Sequence, residues 1–224
     1  MVTYGVGYNV EFEKAFNTYT NAPVLAFDPT MKDINVFKNK ILKGRLLDAV
    51  KQLRWLFKWL RQEKNLAKYQ INFIQEGISD KDIPSYKTFK THIEEYQLTN
   101  KKLLLKIDVD GAKFLVFKNL EIYNQLDNVI QLIIEFHDLD LKIKEVHDII
   151  KKLSATHTLI HIHGNNYGDP FEYNQKIIPK VIEATFIHNS FLSEKILSNS
   201  DYPIKNLDSP CDKSKADIKL DFFK

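Results

Sequence analysis

In Lys106-Ile107-Asp108-Val109-Asp110-Gly111-Ala112, two carboxylates follow directly on an apolar run. If that run is a buried strand of an open α/β sheet, its carboxyl end borders the ligand crevice, where Asp108 and Asp110 can take a proton from a substrate. The same residues would equally serve as helix caps, accepting from free N–H groups at the start of the next helix. Further on, Ile134-Glu135-Phe136-His137-Asp138 ends a second apolar run, and on a regular strand Glu135 and His137 point to one side. His161-Ile162-His163-Gly164-Asn165-Asn166 repeats the pattern. Imidazole is a common metal ligand, but a lone H-x-H is a weak signal and no residue is assigned to a metal here. Polar groups at the ends of two buried strands need partners, which points to a site rather than to packing alone.

The start of the chain offers different chemistry. Tyr4-Gly5-Val6-Gly7-Tyr8-Asn9 reads as a glycine loop that turns tightly and brings a ligand near the head of the following helix. Asp28 lies twenty-three residues after Gly5, the spacing of an acidic residue that holds ribose hydroxyls. Val10 stands where a dinucleotide fingerprint has its third glycine, which weakens a pyrophosphate cofactor. Together these residues point to an adenosine-containing cofactor without saying which.

The elements that must position these groups are legible as apolar runs bounded by turn residues, over residues 23–27, 71–74, 103–107, 129–136, 157–163 and 181–187. Helix-period segments at 11–19, 86–96, 113–126 and 141–153 separate most of them. This alternation predicts an α/β fold with a mostly parallel sheet covered by helices. At 224 residues, one domain is the default reading. Within it, residues 36–68 read as a basic helical insertion, and 189–224 as a tail made of a loop and an edge strand. In the insertion, Leu46, Ala49, Val50, Leu53, Leu56, Phe57 and Leu60 share one side of a helix, and Trp55 and Trp59 fall outside that stripe. A core-packed helix is the plain reading. The sharper one is a surface helix whose tryptophans anchor it on an anionic surface.

Charge supports both readings. Residues 38–68 carry a local +8 within a total of +3, so the remainder is acidic. Nucleic acid is not expected, because the basic run has no recognised motif. No stretch is apolar enough to span a membrane and no secretory leader is evident, so a cytoplasmic location is expected. Cys211, the only cysteine, stands in a polar stretch and reads as an incidental thiol.

Taken in order, YGVGYNVEFEKAF, VLAFDPT, LLLKIDVDGAKFLVF, IIEFHDLD, IHIHGNN and IPKVIEATFI resemble the FkbM-type S-adenosylmethionine-dependent methyltransferases, closest to a bacterial branch with an HGNN turn. The resemblance covers roughly residues 3–30 and 71–188. It implies a class I methyltransferase fold, Rossmann-like, with a mostly parallel seven-stranded sheet, an antiparallel last strand and a first strand truncated in this sequence. It implies S-adenosylmethionine as cofactor, with Gly5, Gly7 and Asn9 along its methionine and ribose, Asp28 on the ribose hydroxyls, and Glu76, Gly77 and Ile78 flanking the adenine. Asp110 and Lys113 depart from the acidic residues of the family signature. The activity expected is O-methylation of a hydroxyl on a glycan or related small metabolite, with Asp108 or His137 as base and Asp110, Glu135, His163, Asn165 and Asn166 around the acceptor. The alternative is a noncatalytic relative that binds a glycan or partner through residues 38–68. An NAD enzyme shares the glycines and Asp28 but leaves KIDVDGA and HGNN unexplained. Oligomeric state is not legible.

Overall fold

The computed structural model describes residues 1–30, 42 and 46–220. The fold is α/β with a seven-stranded, mostly parallel sheet and an antiparallel last strand, as the resemblance implies. The chain divides into two compact units, Met1–His92 and Ile93–Lys224.

In the first unit, β1 (Val2–Tyr4), β2 (Val24–Phe27) and β3 (Ile71–Ile74) run parallel in the order β3-β2-β1. All three residues of β1 are buried, and they pair in register with Leu25, Ala26 and Phe27. Between β1 and β2, α1 (Glu11–Thr20) ends where Asn21 takes the left-handed conformation (φ 53°) and its N–H donates to the Asn17 carbonyl at 2.7 Å. The buried Thr3 hydroxyl donates to the equally buried Glu13 at 3.0 Å, fastening α1 to β1.

Helix α2 (Leu46–Leu66) turns a different face inward from the one its aliphatic stripe predicts. Trp59 is fully buried, its ring edge-on to Phe73 of β3 at 4.7 Å, and Leu66 two turns on is buried too. Val50, Phe57 and Leu60 are exposed. One indole covers more apolar area than a leucine, so the helix rotates to place it. Trp59 is therefore a packing residue and not a surface anchor; the side chain of Trp55 and the insertion before residue 46, Leu42 apart, lie outside the described residues. Two short strands, β4 (Gly77–Ile78) and β5 (Tyr86–Lys87), pair beyond β3, and α3 (Phe89–Glu95) follows. The expected helix over 86–96 thus begins only after Thr88, whose hydroxyl accepts from the Thr91 N–H.

Gly77 is fixed by space. A Cβ there would stand 2.6 Å from the Tyr86 ring and 2.9 Å from Pro29 Cγ. Gly77→Ala is expected to cost about 1–3 kcal/mol, read as a lowered thermal midpoint; an unchanged midpoint would show that the contact yields freely.

In the second unit, β6 (Leu103–Ile107) runs parallel to β7 (Val129–Phe136), while β11 (Val181–His188) lies antiparallel between β7 and β8 (His157–Asn165). Alternate residues of β11 are buried, the period-2 pattern of a strand covered more on one face. The helix expected over 113–126 is broken into α4 (Ala112–Lys118) and α5 (Glu121–Asn124) at Asn119, whose backbone is extended and whose side chain accepts from the Glu121 N–H at 3.0 Å. Gly111, not an aspartate, stands at the α4 N-cap, and no side chain caps it. Helix α6 (Leu139–Leu153) precedes β8. A hairpin of β9 (Phe171–Tyr173) and β10 (Lys176–Ile178), which the sequence did not suggest, turns through Asn174 and Gln175, both at positive φ. Among the described residues of the tail, which end at Leu220, a loop carries a bridge between Tyr202 and Leu220, and the rest of the expected edge strand lies outside the described residues. Among the described residues no helix is long and apolar enough to cross a membrane.

Candidate functional site

In the first unit, the glycine loop leaves the end of β1 with Gly5 and Gly7 both at positive φ (79° and 56°), which glycine adopts without a Cβ penalty. The Gly5 N–H donates to the Phe27 carbonyl at 3.0 Å, holding the loop beside β2. The Gly7 N–H donates to Asp28 Oδ2 at 2.8 Å, and Asp28 Oδ1 accepts from the Thr30 N–H and hydroxyl at 2.8 and 2.7 Å. Asp28 is thereby fixed, nearly buried, against the glycine loop. A Cβ added at Gly7 would meet nothing within 4 Å, so open space borders the backbone there. Asn9 is exposed and accepts from the Glu11 N–H at 3.1 Å at the head of α1.

Glu76, Gly77 and Ile78 follow β3, with Gly77 and Ile78 buried. The Glu76 carboxylate bonds Lys87 at 3.1 Å and His92 Nε2 at 3.3 Å, and His92 Nδ1 pairs with the Tyr4 hydroxyl at 2.9 Å. The buried His92 ring also lies 4.2 Å from that of Phe27. Sequence reasoning missed Tyr4, Lys87 and His92, since nothing local marks a histidine on α3 as the partner of a tyrosine eighty-eight residues earlier.

In the second unit, the structure brings Asp108, Glu135 and His137 together. Their ligating atoms lie within 4.8 Å of one another. Lys113, read from the sequence only as a departure, is fully buried beside them and hydrogen-bonds His137 Nδ1. Burial lowers its pKa to about 8, against the pull of Asp108 and Glu135. It supplies a positive charge to the cluster from inside. Burial, a hydrogen bond with Asp108 and the Asp108 charge push Glu135 up to about 8. Burial would raise Asp108 as well, but the hydrogen bond with Glu135 and the charge of Lys106, 3.1 Å away, outweigh it and hold Asp108 below the ordinary carboxylate range. The two carboxyls thus divide into a proton holder and an anion, as like charges forced together do. Burial and then the Lys113 charge lower His137. Its Nε2 lies 3.8 Å from Glu135. Asp110 follows, exposed, on the same turn.

The HGNN turn does two things. Asn165 donates to Glu135 at 2.9 Å and joins the carboxyl cluster. The other residues face the C-terminal loop. His163 Nε2 donates to Asp217 at 3.1 Å, and one turn of the pleat earlier His161 Nε2 donates to Asp208 at 2.8 Å. Asn166, almost fully buried, accepts from the Asp212 N–H at 2.7 Å and donates to the carbonyls of Asp212 and Ala216 at 3.0 and 3.1 Å. A Cβ at Gly164 would press on Pro179, Leu220 and Ile218 at 3.1–3.4 Å, so the glycine lets that loop pack closely. Bonds to Cys211, Glu183 and Asp217 push His163 up to about 11. Of the residues expected around an acceptor, Asp110, Glu135 and Asn165 lie in or beside the carboxyl cluster, while the side chains of His163 and Asn166 are held by β11 and the tail.

No family model matches the chain, and no curated protein does. Among solved structures, the chain is similar to a precorrin-6y C5,15-methyltransferase from Geobacter metallireducens GS-15, at 10% identity and a TM-score of 0.43 over 83% of this chain and 76% of that one. It is also similar to Streptococcus pneumoniae Sp1610 in complex with S-adenosyl-L-methionine, at 14% identity and a TM-score of 0.39 over 88% and 68% of the two chains.

Proposed function

We propose that this protein is an S-adenosylmethionine-dependent O-methyltransferase of the FkbM type acting on a hydroxyl of a glycan or related small metabolite. The observation that carries the reading is the bond from the Gly7 N–H to Asp28. It joins a two-glycine loop after β1 to the acidic residue that ends β2, with open space beside Gly7. Those residues fit an adenosine cofactor: Gly5, Gly7 and Asn9 would follow its methionine and ribose, Asp28 would hold ribose hydroxyls, and Glu76, Gly77 and Ile78 would flank the adenine. When bound, S-adenosylmethionine supplies an electrophilic methyl group on a sulfonium.

The residues of the second unit prepare the acceptor. Asp108 is the anion of its pair and accepts the hydroxyl proton as the oxygen attacks. Glu135 keeps the second proton of the pair and is held by Asn165. His137, with its Nδ1 taken by Lys113, turns Nε2–H toward Glu135 and acts as a positioning residue, which leaves Asp108 as the better base of the two candidates. Asp110 and Asn165 are assigned to acceptor contacts.

Calorimetric titration of the full chain tests the reading, with NAD as control. Saturable binding of S-adenosylmethionine and none of NAD is expected; binding of neither, or of NAD alone, overturns it. A second reading, a noncatalytic relative that rests on an anionic lipid surface, is favoured by the exposed Val50, Phe57 and Leu60 of α2 beside Arg54 and Arg61. Cosedimentation with anionic vesicles and no cofactor binding would support it.

A further inference from the structure

Next to the carboxyl cluster, across the register pair of Glu135 and Glu183, a second group of metal-ligating side chains converges on His163. Glu183 of β11 stands directly opposite His163 of β8 in the strand register, so both side chains leave the same face of the sheet. Cys211, on the C-terminal loop, reaches the same place. Its sulfur lies 3.5 Å from Glu183 Oε1, and His163 Nδ1 lies 3.7 Å from Glu183 Oε2. The ligating atoms of the three are all within 4.8 Å of one another. Bond lengths to tetrahedral zinc put neighbouring donor atoms about 3.3–3.6 Å apart, so the three need only close slightly on an ion.

We propose that His163, Glu183 and Cys211 form a binding site for one divalent metal ion of the zinc class, with Asp217 positioning His163. The surroundings carry the argument as much as the ligands. The imidazole uses Nε2–H to donate to Asp217 at 3.1 Å, which turns Nδ1 toward Glu183 and Cys211. This is the carboxylate-behind-histidine arrangement that orients metal-bound imidazoles. Cys211 and Asp217 bracket the loop segment that Asn166 grips through the backbone of Asp212 and Ala216, so both arrive already positioned. Among the described residues the cation facing Glu183 and Asp217 is His163 itself, with no lysine or arginine paired to either, so a bound ion would take over the charge that the imidazole proton supplies. The donor set of one thiolate, one imidazole and one carboxylate suits zinc better than magnesium or calcium, which prefer oxygen alone. Glu183 is 43% exposed in its side chain, leaving an entry path and a fourth position for water. On binding, the protons of Cys211 and His163 Nδ1 go to solvent. The ion then ties the C-terminal loop to β8 and β11. None of this depends on methyl transfer.

Cysteine occurs once in the chain, so a sulfur–metal signal reports on this site alone. The test titrates the metal-free full chain with Co²⁺ and follows near-ultraviolet absorption. The result expected is a thiolate-to-cobalt charge-transfer band that saturates at one equivalent and is displaced by Zn²⁺, with Zn²⁺ slowing modification of Cys211 by a thiol reagent about tenfold or more. Asp217→Asn is expected to weaken metal affinity about 10–100-fold. Cobalt binding without the band places the ion elsewhere and overturns the proposal, as does thiol reactivity unchanged by Zn²⁺. Both readings are made on the unsubstituted protein, so a poorly folding variant cannot obscure them.

Discussion

Asp108→Asn is expected to lower the rate of methyl transfer by roughly 10²–10⁴-fold, the usual weight of a positioned general base, while S-adenosylmethionine binding is unchanged. The amide keeps the shape of the side chain and its hydrogen bond with Glu135 but cannot take a proton. Lys106 and Glu135 hold Asp108 as the anion, so it is ready to accept the hydroxyl proton without first losing one. The residues proposed to hold the cofactor belong to the first unit and Asp108 to the second, which is why binding and turnover are expected to separate. Single-turnover rates with calorimetry alongside decide the matter. An unchanged rate removes Asp108 as the base; loss of cofactor binding would make its role structural.

The second large effect concerns Lys113. Lys113→Met, which nearly preserves volume, is expected to abolish a gain in stability of about 3 kcal/mol that the unsubstituted protein shows between pH 8 and 10.5, where the buried ammonium loses its proton. The whole pH dependence is reshaped with it. Glu135 is raised to about 8 in the folded protein, so its contribution is full below the ordinary carboxylate pKa of 4.5 and is lost as pH rises through 8. Lys113 is lowered to about 8, so its contribution is full above 10.5 and is lost as pH falls through 8. From these two groups the unsubstituted protein has a stability minimum around pH 8. In Lys113→Met the alkaline recovery disappears, and the decline due to Glu135 extends to higher pH because its neighbouring cation is gone. Urea unfolding across that range reads both effects; parallel curves for the two proteins would refute the coupling.

What was legible in the sequence and what was not divide along chain distance. The runs over 71–74, 103–107 and 129–136 coincide with strands because contiguous apolar residues between turns encode a buried strand locally. Asp108, Glu135 and His137 meet because strand ends of one sheet meet, a consequence of topology that spacing reveals. Trp59 misled the helix reading, since the aliphatic stripe counted residues and the fold weighed ring area. Lys113 reads in sequence only as a departure from an acidic position of the resemblance; only the neighbours on β7 make it a buried counterion. The partners of His163 and Asn166 lie 46 to 54 positions further on, in a polar tail with no periodicity to announce them.

That separation bears on how the molecule opens. A contact closing such a long stretch of chain returns its entropy only once both ends are already held, so the C-terminal loop is expected to dock on β8 after the strands have paired. By the same reasoning its release is the least costly excursion from the native state. It breaks the hydrogen bonds of Asn166 and of the two histidines with the loop and leaves the strand ladder of β7, β11 and β8 intact. Local opening at this place, with no global unfolding, would bare Cys211 and the polar edge of β8 together.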